Sequence, residues 1–321
     1  MCNMEHFMKD SSKHGDITMN PRKSPDMGAE HSPVMIESDI QRLRDPCVIY
    51  DNGIYYVYGT GWICYYNKTG SLADGWKGPV SVVSMPAGHE SEGGCHWAPE
   101  VHRYGDAFYM FTTYLSNKTN HRGCTILKAD NPLGPFVEIT NGYVTPGDWD
   151  SIDGTFYIDE DKQPWMVFVH EWTNTDDRVG RMAAAKLSHD LTHFISEPTE
   201  LFRADEPSWA KSGVTDGCWM YRTEKGSLLM IWSNFTTDGY CVGIARSETG
   251  LVTGPWIQEE KLLYAKSMGA AYDGGHGMIF THTDGQMYLS IHSPNNSSAG
   301  RSEKPVFVPI CEKDDTLVWD R

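Results

Sequence analysis

The chain has 321 residues, enough for one large β domain or two smaller ones, and a formal net charge of −16. That charge argues against nucleic acid or an anionic membrane as partner and disfavours polyanionic substrates. Neutral ligands stay open, and 11 Trp with 16 Tyr suit stacking on sugar rings as well as filling a β-rich core.

Residues 1–38 read as a poorly ordered arm, polar and mixed in charge without periodicity. They hold no signal-peptide apolar core. The chain is therefore expected in the cytoplasm if this start is native, and secreted or periplasmic if a leader was trimmed. No run approaches the ~18 apolar residues of a membrane span. From residue 39 to 321 a single domain is expected, made of short strands and Gly-containing turns.

The first hairpin pairs 47–50 with 55–58 across Asp51-Asn52-Gly53, because Asn-Gly tolerates the positive φ that a tight turn requires. A second pairs 97–104 with 108–113 across Gly105-Asp106. A third joins 152–158 to 165–169, a fourth 215–221 to 228–232, and a fifth 273–280 to 287–291. The period of roughly 50 to 60 residues suits a four-stranded blade with its connections. Strand-like runs at 63–66, 125–129 and 242–246 each lead to a related turn: Gly78-Pro79, Gly134-Pro135 and Gly254-Pro255. The pattern predicts an all-β, five-bladed β-propeller, closed by a strand over 304–310 and another over 317–319. A β-sandwich is the alternative, but it gives no reason for acidic residues to recur in phase with the hairpins. The eight cysteines form no C-x-x-C pair and no regular spacing, so buried, reduced thiols are expected.

In a propeller the first strand of every blade lines the central axis, so residues distant in sequence meet at one mouth. Asp45, Asp153 and Asp216 would meet there from blades one, three and four. One such carboxyl, its pKa raised by the others, suits a general acid. An ionised one suits activation of water across a glycosidic bond, and inverting glycosidases hold these two groups about 6.5–9.5 Å apart. The third would orient the acid. Taken singly, an Asp before Pro or Gly is a turn or strand-edge cap.

From about Asp39 to Trp319 the chain resembles glycoside hydrolase family 43, five-bladed propeller enzymes acting on arabinose- and xylose-containing glycans. Arg44-Asp45-Pro46 matches the family's first-blade Asp-Pro, Trp97-Ala98-Pro99-Glu100 its second-blade motif, and Ile152-Asp153-Gly154 its third-blade Asp. Gly275-His276-Gly277 is similar to its fifth-blade Gly-His-Gly. The resemblance implies Asp45 as general base and Asp153 as modulator of the acid's pKa. Where the family's acid is a Glu, this chain has Asp216 in Thr215-Asp216-Gly217, one methylene shorter. Glu171, at the end of the third hairpin, is the alternative acid or a substrate ligand. The resemblance also implies a calcium ion on the axis near His276, with waters as most of its ligands, and no cofactor for the chemistry. Arg44, Trp62, His96, Trp97, Trp172 and Trp219, at hairpin ends or adjoining loops, and Arg301 after blade five, are candidate sugar contacts.

The expected activity is inverting exo-hydrolysis of a terminal pentose or furanose from an oligo- or polysaccharide, foremost α-L-arabinofuranose, with β-D-xylose and β-D-galactofuranose as rivals. The sucrose- and fructan-cleaving propellers also carry Arg-Asp-Pro, but their Asn-Asp-Pro-Asn-Gly and Glu-Cys motifs are missing here. A propeller that binds glycans without cleaving them is the reading from another class; Asp45 and Asp153 argue against it, because a binder needs neither a base nor a pKa tuner.

Overall fold

In the computed structural model, which describes residues 34–296 and 301–321, the first hairpin turns on Asn52 and Gly53 with φ of 47° and 85°. Two left-handed residues in succession give the turn whose twist matches paired strands. A two-residue strand, β1 (Ile36–Glu37), precedes four blades of four antiparallel strands. Blade I is β2 (Cys47–Asp51), β3 (Ile54–Gly59), β4 (Ile63–Asn67) and β5 (Lys77–Ser81). Blade II is β6 (Trp97–Tyr104), β7 (Ala107–Leu115), β8 (Arg122–Ala129) and β9 (Val137–Glu138). Blade III follows as β10 (Ser151–Ile158), β11 (Pro164–His170), β12 (Arg181–Lys186) and β13 (Thr199–Arg203). Blade IV comprises β14 (Asp216–Arg222), β15 (Leu228–Thr236), β16 (Gly239–Ser247) and β17 (Trp256–Gln258).

Blade V holds β18 (Gly275–Thr281), β19 (Met287–Ser293) and β20 (Lys304–Lys313). Its outermost position is shared. β1 pairs with one stretch of β20 (Ile36 opposite Phe307), and β21 (Thr316–Trp319) pairs with the next (Ile310 opposite Trp319). The expected closing strands are present, and Ile36–Glu37, which the sequence reading places in the arm, is a third. Residues 1–33 of that arm lie outside the described residues.

The first strands β2, β6, β10, β14 and β18 neighbour one another in a closed ring. The second strands are buried along almost their whole length, because adjoining blades cover both of their faces; their sequences are therefore continuous apolar runs rather than alternating ones. The seven cysteines among the described residues are free thiols, five of them buried. No helix of the described residues is long and apolar enough to cross a membrane.

Each blade starts the same way. Asp45, Ala98, Asp153, Gly217 and His276 all have left-handed backbones, with φ between 44° and 57°. In blades II to V the pairing of first and second strands slips at this point, between Trp97 and Glu100, Ile152 and Thr155, Asp216 and Trp219, and Gly275 and Met278. A bulge with one left-handed residue re-aims a side chain out of the ladder, and here it does so at one end of the ring.

Candidate active site

Asp45 enters the mouth from the left-handed turn that leads into β2 of blade I, and its surroundings come from other segments. Thr60 Oγ1 donates to Oδ2 and itself accepts from the Ala98 N–H at 3.1 Å, so the bulge of blade II orients the threonine. His292 Nδ1 lies 3.3 Å from Asp45 Oδ1 and His276 Nδ1 3.4 Å from it. On its far side His292 Nε2 meets Asn295 Oδ1 at 3.0 Å. Asn295 also accepts two Arg44 hydrogen bonds, at 2.6 Å through its carbonyl and 3.2 Å through Oδ1. Arg44 is thus held by blade V, with Glu303 at 3.4 Å.

Asp153 is anchored from the neighbouring blades. Its N–H donates to Thr113 Oγ1 at 3.0 Å, and its Oδ2 accepts from the Gly217 N–H at 3.0 Å, with His276 Nδ1 3.7 Å away. Gly217 has no substitute there: its φ is 51°, and a Cβ would stand 2.8 Å from the His276 Cα. Asp216 accepts from the Tyr240 hydroxyl through Oδ2 at 2.8 Å. Asp45 and Asp153 are themselves the left-handed residues of their blades, whereas Asp216 precedes Gly217, which fills that place in blade IV. Asp216 is therefore one residue out of phase with the other two, yet all three share one neighbour, His276.

Their environments drive the three carboxyls apart. Burial alone would push Asp45 up, but His276, His292 and Arg44 together outweigh it and hold the group well below the ordinary carboxylate range. Burial pushes Asp153 well above that range, with Asp45, Glu171 and Glu100 adding to it against the Gly217 N–H. Asp216 is pushed up to about 7 by burial and then by Asp153, against His276 and Tyr240. Asp45 is held down while Asp153 and Asp216 are pushed up, and a lowered carboxyl beside a raised one at a single mouth is what base and acid catalysis require.

Glu171 is only 5 % exposed and is clamped by Arg122, whose Nε lies 2.5 Å from Oε2. Arg122 also binds Asp150 at 3.0 Å and Thr173 at 2.9 Å, and its guanidinium lies 5.8 Å from the centre of the Trp97 ring. Trp62 stacks on His96 at 3.8 Å and donates its indole N–H to Thr112. Trp172 opens a short 3₁₀ turn, Trp172–Asn174, and packs on the core of blades III and IV. Two of the candidate sugar contacts have other partners. Trp219 lies beyond the bulge, stacked on His102, which reaches Glu100 at 3.1 Å, and packed against two apolar clusters. Arg301 is paired with Glu37 of β1 at 2.6 Å and lies over the Tyr272 ring, fastening the ring closure.

Calcium takes six to eight oxygen ligands. His276 offers one ring nitrogen, which faces the Asp45 and Asp153 carboxyls, and no three His, Cys, Asp or Glu side chains among the described residues gather to hold a metal. His276 stands here as the neighbour of the two carboxyls. Thr60, Arg122, Tyr240 and His292 escape sequence reading. The one local signal was a histidine within β19, a strand buried along its whole length.

The family model of glycosyl hydrolases family 43 matches residues 37–309. The endo-arabinase of Bacteroides thetaiotaomicron VPI-5482 superposes with a TM-score of 0.77 at 36% identity, over 88% of this chain and 98% of that one. An endo-1,4-beta-xylanase from the same organism shares the fold at 23% identity, with a TM-score of 0.71 over 89% and 97% of the two chains. A probable arabinan endo-1,5-alpha-L-arabinosidase B of Aspergillus oryzae is 29% identical over 133 residues, 40% of this chain and 32% of that protein. The chain thus aligns with about a third of that curated relative's length.

Proposed function

Since this chain belongs to glycosyl hydrolase family 43, and so is a glycoside hydrolase, we propose that it cleaves α-L-arabinofuranosyl linkages of arabinan with inversion, Asp45 serving as general base and Asp216 as general acid. The observation that carries this reading is that Asp45 and Asp216 stand at one mouth in opposite surroundings, His276 and His292 against the first and the Tyr240 hydroxyl and Asp153 beside the second. Asp216 donates its proton to the glycosidic oxygen as the bond from that oxygen to the anomeric carbon breaks. Water attacks the carbon from the opposite face and gives a proton to Asp45. Asp153, fixed by Thr113 and Gly217, keeps the acid's pKa high. Arg122, Trp97, Trp62 and His96 line the approach and contact the sugar. Glu171, pushed up by burial but held through Oε2 by Arg122, is assigned to orienting Arg122 in this reading, with Asp216 as the donor.

The likeness to the Bacteroides endo-arabinase supports cleavage within the chain, giving oligosaccharides. The exo reading stands as the second, and expects arabinose as the sole early product. Incubation with linear α-1,5-arabinan, followed by product chromatography and NMR of the first anomer formed, tests both. We expect short oligomers of inverted configuration, and Asp45→Asn should lower kcat by roughly 10²–10⁴-fold. Xylan cleavage with arabinan untouched would overturn the substrate, and retained configuration would overturn the roles of the carboxyls.

A further inference from the structure

Tyr240 is buried (2 % exposed) on β16, the third strand of blade IV, yet its hydroxyl reaches the mouth and donates to Asp216 Oδ2 at 2.8 Å. Its position is fixed on every side. The backbone N–H donates to Asp273 Oδ2 at 3.1 Å, and the carbonyl accepts from Gly274 at 3.2 Å. The ring lies against Gly275, where a Cβ would come within 2.5 Å of it, and beside Phe235 at 4.9 Å. Its other neighbour is His292, stacked at 5.7 Å and 25°. The same His292 stands 3.3 Å from Asp45 Oδ1. A continuous buried wall therefore runs from one carboxyl through His292 and Tyr240 to the other.

We propose that Tyr240 is the positioning residue of the proton donor: its hydroxyl occupies one oxygen of Asp216, so that the other carries the proton to be transferred, while its contact with His292 braces acid and base against one wall. This inference rests on Asp216 being the acid. As the proton passes from Asp216 to the glycosidic oxygen, the carboxyl becomes an anion. The O–H···O bond from Tyr240 then becomes charge-assisted and strengthens, which aids the step most when the leaving group most needs its proton. The phenol stays a donor throughout, since burial and the Asp216 carboxyl push its own pKa well above the ordinary value. The ionisable groups facing this pair are Asp153 from blade III, His276, His292 and Asp273 from blade V and the segment before it, and Asp45 from blade I.

Tyr240→Phe removes the hydroxyl and keeps the ring, its wall contacts and its stack on His292. The measurements are kcat and KM on arabinan, and on a graded series of aryl glycosides of arabinofuranose and its short oligomers, together with the pH profile and thermal unfolding. We expect kcat on arabinan to fall roughly 10- to 100-fold with KM nearly unchanged. The loss should shrink to nothing for the best aryl leaving group, and the alkaline limb should move to higher pH, because the lost donor favoured the charged carboxylate. Replacing Tyr240 by 3-fluorotyrosine, a more acidic phenol in the same frame, should move that limb the other way and keeps the test open if the phenylalanine variant folds poorly. An equal loss on all leaving groups, or an unmoved limb in both variants, would overturn the proposal. Asp216→Asn separates the two levels. If its own loss is independent of the leaving group, the acid assignment fails; if its loss depends on the leaving group while that of Tyr240→Phe does not, only the role of Tyr240 fails.

Discussion

Asp45 and Asp216 carry the same carboxyl group, but His276 and His292 stand against the first, while the Tyr240 hydroxyl and the Asp153 carboxyl flank the second. Hydrolysis should therefore decline as pH rises through about 7, where Asp216 loses its proton. On the acid side it should persist far below neutrality, until Asp45 gains one. Steady-state kcat/KM across that range checks this. Replacing His276 by Ala removes a neighbour that favours the charged form of both carboxyls. Both pKa values should rise and the whole bell should shift to higher pH, whereas Tyr240→Phe should shift one limb alone. Asp45 and Asp153 were legible in the sequence because a turn residue, Pro46 or Gly154, follows each at the head of a strand. Thr60, Tyr240 and His292 were not. They reach the mouth from other strands, and nothing local in the sequence marks a side chain whose partner lies across the ring.

At the level of the element, the left-handed residue that opens each blade, set in a bulge in blades II to V, turns a repeated architecture into a site. A left-handed backbone costs a non-glycine residue about 1–2 kcal/mol, and blades I, II, III and V bear that cost at Asp45, Ala98, Asp153 and His276. Gly217 escapes it but is confined by His276. Gly217→Ala should destabilise the fold by ~1–3 kcal/mol and lower activity beyond that, since the Gly217 N–H is the donor to Asp153. Calorimetry set beside kcat on the same preparation would read both effects. The five inner hairpins were readable from apolar runs broken by Gly, Asn and Asp. β12 and β13 were not, because Arg181-Met182-Ala183-Ala184-Ala185-Lys186 is rich in alanine, a poor strand former, and blade III lacks the Gly-Pro turn that marks blades I, II and IV. Those alanines are buried between their neighbours, so packing overrides propensity. The one-residue offset of Asp216 was hidden for a related reason: a bulge changes register without leaving a composition signal.

For the molecule as a whole, the ring is held at blade V by strands from opposite ends of the sequence. Ile36 pairs with Phe307, and Glu37 is gripped by Arg301 and Lys304. A chain beginning at residue 39 should unfold several degrees below one beginning at residue 34, at roughly 2–4 °C for each kcal/mol lost; thermal melts of the two would show it. The same junction sets a timetable. Ser38 waits for Pro305, 267 residues downstream, and at roughly 5–20 residues per second a ribosome needs on the order of tens of seconds to deliver it. Through that interval blades I to IV emerge one after another without their fastening, with β20 not yet made. The mouth, which needs His276 and His292, is thus assembled only once blade V has been made, and a chain stalled before it carries Asp45 without the two histidines that hold its carboxyl down.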